Sequence, residues 1–478
     1  MRYWLILLIL ILVIGKEQPY AAPFSKKLKS DSIPTKKDTA TKLILIADIQ
    51  IKGNKRTKSG IILRELAIKK GDILAESTLI QQIEKSRNQV INTALFIDVN
   101  IATEKKLDDI VTLIVEVKER WYLFPLPYFK LIDRNFNQWW VDENRSLDRV
   151  NYGIKFTQYN LSGNNDELDV WLINGYSKQI NLRYNLPFFE KSLKHGLNIG
   201  FLNSEQKELN YTTIQNKQQF IKTEDFAKKS SRAEIAYSYR PDQYWRHYLR
   251  VGFAKEWISD SVKQYNPYYY PNQLTDIQFL DFSYSIRYSK LNYFAFPTKG
   301  FTFDASIYKR GLDKTTNLWQ GAISAFYAKP LLKNRFLWLS AAATIKRPAN
   351  NYYINQRLFG YGDFFLRGLE YYVIDGDAGF VAKATVHQQL FKYIFHTHLN
   401  SKNYNTIPFK YYLKLYSDIG YARNHYASVN NTNNELLSNK LIYTSGIGID
   451  VVSIYDFVFR FEFSFNQLGG KGLFLHTK

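Results

Sequence analysis

The run Phe457-Val458-Phe459-Arg460-Phe461-Glu462-Phe463-Ser464-Phe465-Asn466 alternates without a break. Successive side chains of a strand point to opposite faces. Five phenylalanines therefore share one side, and Val458, Arg460, Glu462, Ser464 and Asn466 share the other. The same period appears in 280–288, where Leu280, Phe282, Tyr284, Ile286 and Tyr288 oppose Asp281, Ser283, Ser285 and Arg287. It recurs in 301–308, where Phe301, Phe303, Ala305 and Ile307 oppose Thr302, Asp304, Ser306 and Tyr308. A soluble sandwich also alternates, but its polar side faces water and its apolar side meets a second sheet. Here the apolar side is crowded with aromatic rings and the polar side carries Asp, Arg, Lys and Glu. An apolar outside in lipid and a wet inside explain that distribution better. Lipid offers no partner to an unpaired sheet edge, so the sheet is expected to close on itself.

Working outward from these runs, alternation dominates from Arg120 to the end. Sixteen strands are expected, near residues 121–131, 147–160, 166–176, 178–187, 194–204, 230–240, 246–257, 276–290, 299–309, 317–328, 335–346, 379–392, 408–421, 440–451, 455–467 and 471–478. The count is even, as bacterial membrane barrels require. With the amino-terminal part in the periplasm, the long connections 205–229, 258–275, 347–378 and 422–439 fall outside. The short turns 162–165, 240–244, 329–334 and 452–454 fall inside, as barrel physics expects. The long inner turn 392–407 is the exception. Trp121, Trp139, Trp140, Trp171, Trp245 and Trp257 are read as interface girdles.

Composition narrows the function. The chain has 478 residues, 16% of them aromatic, with no Cys and one Met. Disulfide scaffolds, thiol catalysis and zinc fingers all require cysteine. The hydrophobic share is 45% although the mean hydropathy is −0.33, because apolar residues are interleaved with polar ones. The one long apolar run, 3–14, is too short for a spanning helix. The net charge of +21 suits either an anionic lipid surface or a solvated excess of lysine. No nucleic-acid-binding motif accompanies it, and nucleic acid is not expected as a partner. His396 and His398 suggest a metal, yet no third ligand is evident, and no metal is expected. No Ser/His/Asp motif is recognisable, so no catalytic residues and no enzyme activity are expected.

Arg2 followed by the apolar run 3–14 and Gly15 reads as a secretory signal peptide over 1–15, with cleavage as late as residue 22. Residues 16–41, rich in Lys, Ser, Thr and Pro, read as a linker. From Lys42 the pattern changes. A strand over 43–51, a helix capped by Thr57, a second helix opened by Ser77, and strands over 96–103 and 110–117 give a β-α-α-β-β unit spanning 42–118. The fold class expected is mainly β: a 16-stranded antiparallel transmembrane β-barrel over 119–478, preceded by this small α+β domain.

One segment carries a resemblance. Leu358-Phe359-Gly360-Tyr361-Gly362-Asp363-Phe364-Phe365-Leu366-Arg367-Gly368-Leu369 is glycine-rich but lacks a full GxGxxG and precedes a strand. It is weak as a phosphate loop. It resembles the signature of the Omp85 superfamily, whose members include BamA, TamA and the two-partner secretion translocators. In that family an Arg-Gly-aromatic tip on the sixth outer loop folds back into the barrel. Arg367 and Gly368 occupy that place, preceded by Leu366 and followed by Leu369 where an aromatic is usual. Gly360 and Gly362 belong to the same motif. The family's aromatic-x-Asp-x-Gly on strand 13 is matched by Tyr416-Ser417-Asp418-Ile419-Gly420. Alternation independently puts Tyr411, Leu413, Leu415, Ile419 and Tyr421 toward lipid and Tyr412, Lys414, Tyr416, Asp418 and Gly420 inward. The resemblance implies a loop lock made by Arg367 and Gly368 with Asp418 and Gly420, an arginine–carboxylate pair able to be bidentate. A lumenal Glu on strand 12 is not matched; of the nearby Gln388 and Gln389, Gln389 is the expected lumen partner.

The β-α-α-β-β unit resembles a POTRA domain, including Gly53-Asn54, Gly71-Asp72 and Leu95-Phe96. The resemblance implies an outer-membrane location with the POTRA domain in the periplasm of a Gram-negative-type bacterium. It implies insertion or translocation of client proteins without any cofactor, through a POTRA edge that holds clients and a weak barrel seam that opens. The partners implied are outer-membrane lipid, unfolded or extended client proteins, and accessory periplasmic or lipoprotein partners. The alternative is a passive channel or structural barrel on the same scaffold.

Overall fold

The structure, a computed structural model, describes residues 42–131, 147–313, 315–349, 352–362, 364–396, 406–425 and 436–477. The expected signal peptide and linker, and Trp139, Trp140 and His398, lie outside them.

The first unit runs β1 (Leu43–Lys52), α1 (Ser59–Glu65), β2 (Ile73–Ala75), α2 (Glu76–Ile91), β3 (Phe96–Leu107) and β4 (Ile110–Glu119). Its sheet order is β2-β1-β4-β3, with β1 parallel to β4 and the other pairs antiparallel. Both helices bury one side against the sheet: Ile61, Ile62, Leu79 and Val90 pack with Ile46, Val99 and Val115. The expected β-α-α-β-β order thus gains β2. Three residues are too few for a period-2 pattern, and β2 exists through its pairing with β1, Leu45 opposite Ile73. Thr57 does not cap α1. Lys58 holds that position without a side-chain cap. The Thr57 hydroxyl lies 3.1 Å from the Tyr122 hydroxyl and accepts from Asn160 Nδ2 at 2.9 Å. A tertiary contact has displaced the local one.

The second unit is one antiparallel sheet. Its strands are β5 (Leu123–Leu131), β6 (Val150–Tyr159), β7 (Glu167–Gly175), β8 (Ser177–Leu186), β9 (His195–Gln206), β12 (Lys228–Tyr239), β13 (Trp245–Ile258), β14 (Asp276–Leu291), β15 (Gly300–Arg310), β16 (Leu318–Leu332), β17 (Arg335–Arg347), β20 (Ala378–His396), β21 (Thr406–Arg423), β22 (Leu441–Val452), β23 (Val458–Asn466) and β24 (Lys471–Thr477). A small hairpin, β10 (Glu208–Ile214) with β11 (Lys217–Lys222), rises from the connection after β9. The short pair β18 (Arg357–Phe359) and β19 (Ile374–Asp375) lies in the connection after β17.

The sixteen strands pair strictly in chain order, from β5 at one end to β24 at the other. The sheet is not closed, which corrects the expected barrel: β5 pairs only with β6, β24 pairs only with β23, and no ladder joins the two among the described residues. The edge strands account for this. β5 contains Pro125 and Pro127, which lack N–H groups; two apart, both gaps fall on one side of the strand, and a strand tolerates them on its open side. β24 is seven residues long and follows Gly469 and Gly470.

Across the sheet the usual order of burial is reversed. Phe459, Phe461, Phe463 and Phe465 are exposed while Glu462 and Ser464 are buried. Leu280 and Tyr284 are exposed and Asp281 is fully buried. The inward side is a polar interior held by ion pairs. Lys414 Nζ reaches Asp450 and, at 2.6 Å, Glu462 Oε1; His387 Nε2 lies 3.1 Å from Asp450. Asp281 sits between Arg232 and Arg250, the latter at 2.7 Å. Buried charges persist where they are paired. The connection after β14 also turns inward. Phe296 packs against Tyr412 at 4.6 Å between centroids and against Trp338 at 4.9 Å, and the Trp338 indole donates to the Pro297 carbonyl.

Candidate functional site

The connection between β17 and β20 folds into the polar interior. Leu366 and Leu369 are buried with Leu358, Phe359, Ile374, Val381, Ala422 and Ile442. These two leucines anchor the tip, so Arg367 between them is directed at β20 and β21. Its backbone N–H and its Nε each donate to Asp418 Oδ2 at 3.0 Å, and Nη2 donates to Asp418 Oδ1. Nη1 donates to Thr385 Oγ1 at 2.9 Å. The guanidinium also lies over the Tyr416 ring, 4.0 Å from its centroid. Asp418 is fully buried, so both carboxylate oxygens are satisfied by one side chain and its own amide. Such two-pronged, charge-assisted bonding fixes orientation as well as contact.

Glycines make the approach possible. Gly368 has φ +85°, and a Cβ there would meet Ser464 Cβ at 2.8 Å. Its carbonyl accepts from Asn466 Nδ2 at 2.8 Å. On β21, a Cβ at Gly420 would come within 3.0 Å of the Phe380 carbonyl and 3.2 Å of Leu366. Gly360 has φ +82° against the Tyr372 carbonyl, whereas Gly362 has open space around it. Gln389 is not brought to Arg367. It lies opposite Tyr412, four positions along β20 from Thr385. Thr385 is the β20 group at the arginine, and nothing in its local sequence marks it.

Further contacts extend the site. Gly368 N–H donates to Glu370 Oε1 at 3.1 Å, and that oxygen lies 3.3 Å from His476 Nε2 on β24. His476 Nε2 is also 3.3 Å from Glu462 Oε2. On the outer side, the Tyr361 hydroxyl donates to Asp375 Oδ1 at 2.6 Å and lies 2.8 Å from Thr213 Oγ1 on the β10–β11 hairpin. Burial pushes the Asp375 carboxyl up from the ordinary carboxylate range.

At the opposite end the first unit is fastened to the turns of the sheet. Arg240 gives two bonds to Glu65, at 2.6 and 2.8 Å. Arg64 joins the same carboxylate at 2.9 Å, and Gln243 Nε2 donates to the Leu66 carbonyl at 3.0 Å. Burial, then the neighbouring Arg240, hold the Arg64 guanidinium below its usual pKa. Phe188, from the connection after β8, is buried in the core of the first unit. Beside this joint a cavity of ≈ 430 Å³ opens, lined in part by Glu65, Gln89, Asn165, Arg246 and Phe294.

Comparison with known proteins agrees with this arrangement. A profile described as POTRA, surface antigen variable number repeat, matches residues 44–120, and one described as the Omp85 superfamily domain matches 160–468. No curated protein matches the chain. Among solved structures, BamA from Haemophilus ducreyi lacking POTRA domains 1–3 is similar at 17% identity and a TM-score of 0.50, over 91% of this chain and 84% of that one. CdiB from Acinetobacter baumannii is similar at 11% identity and a TM-score of 0.48, over 91% of this chain and 73% of that one. The superfamily profile spans well over half of the sequence, and the chain belongs to the Omp85 superfamily: it is a non-catalytic outer-membrane protein of translocase type whose POTRA domain lies in the periplasm.

Proposed function

We propose that this protein assists the insertion or translocation of client polypeptides at the outer membrane, using open strand edges and no cofactor. The observation that carries this reading is the unpaired state of β5 and β24 relative to one another. An open edge presents a row of free N–H and C=O groups that an extended chain can pair with. β24 is the better template of the two, because the prolines of β5 remove donors. β3 forms an edge of the POTRA sheet and offers a first hold for an extended client. The Arg367–Asp418 pair fixes the inward connection, which lies directly behind β23 and β24 and sets the shape of the interior there.

Depletion of the protein in its own cell, followed by quantification of folded and unfolded outer-membrane and surface proteins, tests the proposal. Loss of a defined client set, restored by the wild-type gene and poorly by Arg367→Ala, is the expected result. An unchanged protein inventory with altered solute permeability would overturn it in favour of a channel.

A further inference from the structure

The cluster of Glu370, Glu462 and His476 lies beside the Arg367 contact, linked to it by the Gly368 N–H, which donates to Glu370 Oε1. It joins three separate pieces of chain: the inward connection, β23 and the edge strand β24. One ligand atom from each lies within 4.8 Å of the others. His476 Nε2 stands 3.3 Å from Glu370 Oε1 and 3.3 Å from Glu462 Oε2. Donors bound to one tetrahedral ion at about 2.0–2.1 Å lie ~3.3–3.4 Å apart, so these separations match a shared metal. One oxygen of each carboxylate is already engaged, Glu370 Oε1 by the Gly368 N–H at 3.1 Å, and the other lacks a hydrogen bond. Glu462 is almost completely buried, and its Oε1 is taken by Lys414 while Oε2 has no hydrogen bond. Glu370 Oε2 is likewise buried without one. The nearby Lys383 ammonium is placed over the Phe365 ring, 4.4 Å from its centroid.

We propose that Glu370, Glu462 and His476 form a binding site for a divalent transition-metal ion of the zinc class. One imidazole and two carboxylates suit such an ion better than magnesium or calcium, which prefer all-oxygen sets. The ion offsets the Glu370 charge and adds to the Lys414 ammonium that already faces Glu462. The ion staples β24 to the inward connection and so restrains the movement of the edge strand that a client would pair with. That consequence rests on the reading of β24 as a working edge; the binding claim stands without it.

The test uses the full-length, untagged protein in detergent micelles, stripped with a chelator and titrated with zinc chloride by calorimetry. Saturable binding of one ion per chain is expected, weakened by about tenfold or more in His476→Ala and in Glu370→Gln and unchanged in His396→Ala. If His476→Ala fails to fold, Glu370→Gln carries the comparison. Absence of saturable binding, or equal affinity in the wild type and the foldable site variants, would overturn the site. Hydrogen exchange at 471–477 reads the staple: zinc is expected to slow it, and zinc binding with unchanged exchange would refute the staple alone.

Discussion

Glu65 of α1 and Arg240, which follows β12, are 175 positions apart and meet through two parallel hydrogen bonds of 2.6 and 2.8 Å. Both side chains are nearly buried, and Arg64 shares the carboxylate. The periplasmic domain is therefore attached by a buried charge cluster as well as by the chain.

Arg240→Ala should loosen that attachment. It leaves Glu65 with one cationic partner and an emptied slot, and breaking a buried pair from one side costs about 3–5 kcal/mol. Hydrogen exchange should rise in 59–66 and 240–244, with the strands of the sheet little changed. Uniform loss of protection across the sheet would contradict this assignment.

Arg367→Lys should behave more like Arg367→Ala than like the wild type. A lysine can place one charge near Asp418, but it cannot occupy Asp418 Oδ1, Asp418 Oδ2 and Thr385 Oγ1 at once. Limited proteolysis of the connection 352–377 measures this. Cleavage should be fastest in the alanine variant, slower in the lysine variant and slowest in the wild type. Thr385→Val should have a smaller effect in the same direction, about 1 kcal/mol for one lost hydrogen bond.

Gly368→Ala and Gly362→Ala form a matched pair. At Gly368 the backbone is left-handed and Ser464 is in the way, so a methyl group should cost about 1–3 kcal/mol. At Gly362 nothing lies within 4 Å of the added carbon, and thermal stability should be unchanged within about 0.5 kcal/mol. Equal melting temperatures for the two variants would remove the steric argument for Gly368.

Phe296, in the connection whose Phe294 N–H donates to Asn92 of the periplasmic domain, packs inward among Phe336, Trp338, His387 and Tyr412. Phe296→Ala should raise single-protein conductance in planar bilayers above that of the wild type. It should also lower stability by about 3–5 kcal/mol, the usual cost of a large-to-small change in a packed cluster. Wild-type conductance already as large as the variant's would show that Phe296 does not obstruct the path.

The sheet was legible in the sequence because its strands announce themselves locally. The ladder from Phe459 to Phe465 and the run from Leu280 to Tyr288 encode both strand and face in a period of two. The position of Asp418 on the inward side followed from the same alternation. What was not legible depends on partners far away in the chain. β2 is a strand only because β1 is beside it, and Thr57 abandons α1 for Tyr122 and Asn160. Thr385, not Gln389, meets Arg367 because the tip descends to one level along β20, and no local pattern reports that depth. Glu370, Glu462 and His476 come from three elements with unrelated spacing, so no motif links them. Lipid demands closure of a sheet in general, whereas Pro125, Pro127 and the shortness of β24 act at these two edges in particular.

The strictly sequential order of the sheet bears on how the chain folds. Each strand of the sixteen-stranded sheet pairs with the strands beside it in chain order within that sheet, and many of the joints are short. Contacts of short sequence separation close with little loss of chain entropy and form early. The ladder can therefore propagate strand by strand from either end. Glu65 with Arg240, 175 positions apart, and Arg367 with Asp418, whose connection must enter the interior, can close only on a wall already built. The docking of the periplasmic domain and the inward connection are then the last pieces to settle, and a chain halted before they do would carry a laddered but unanchored sheet.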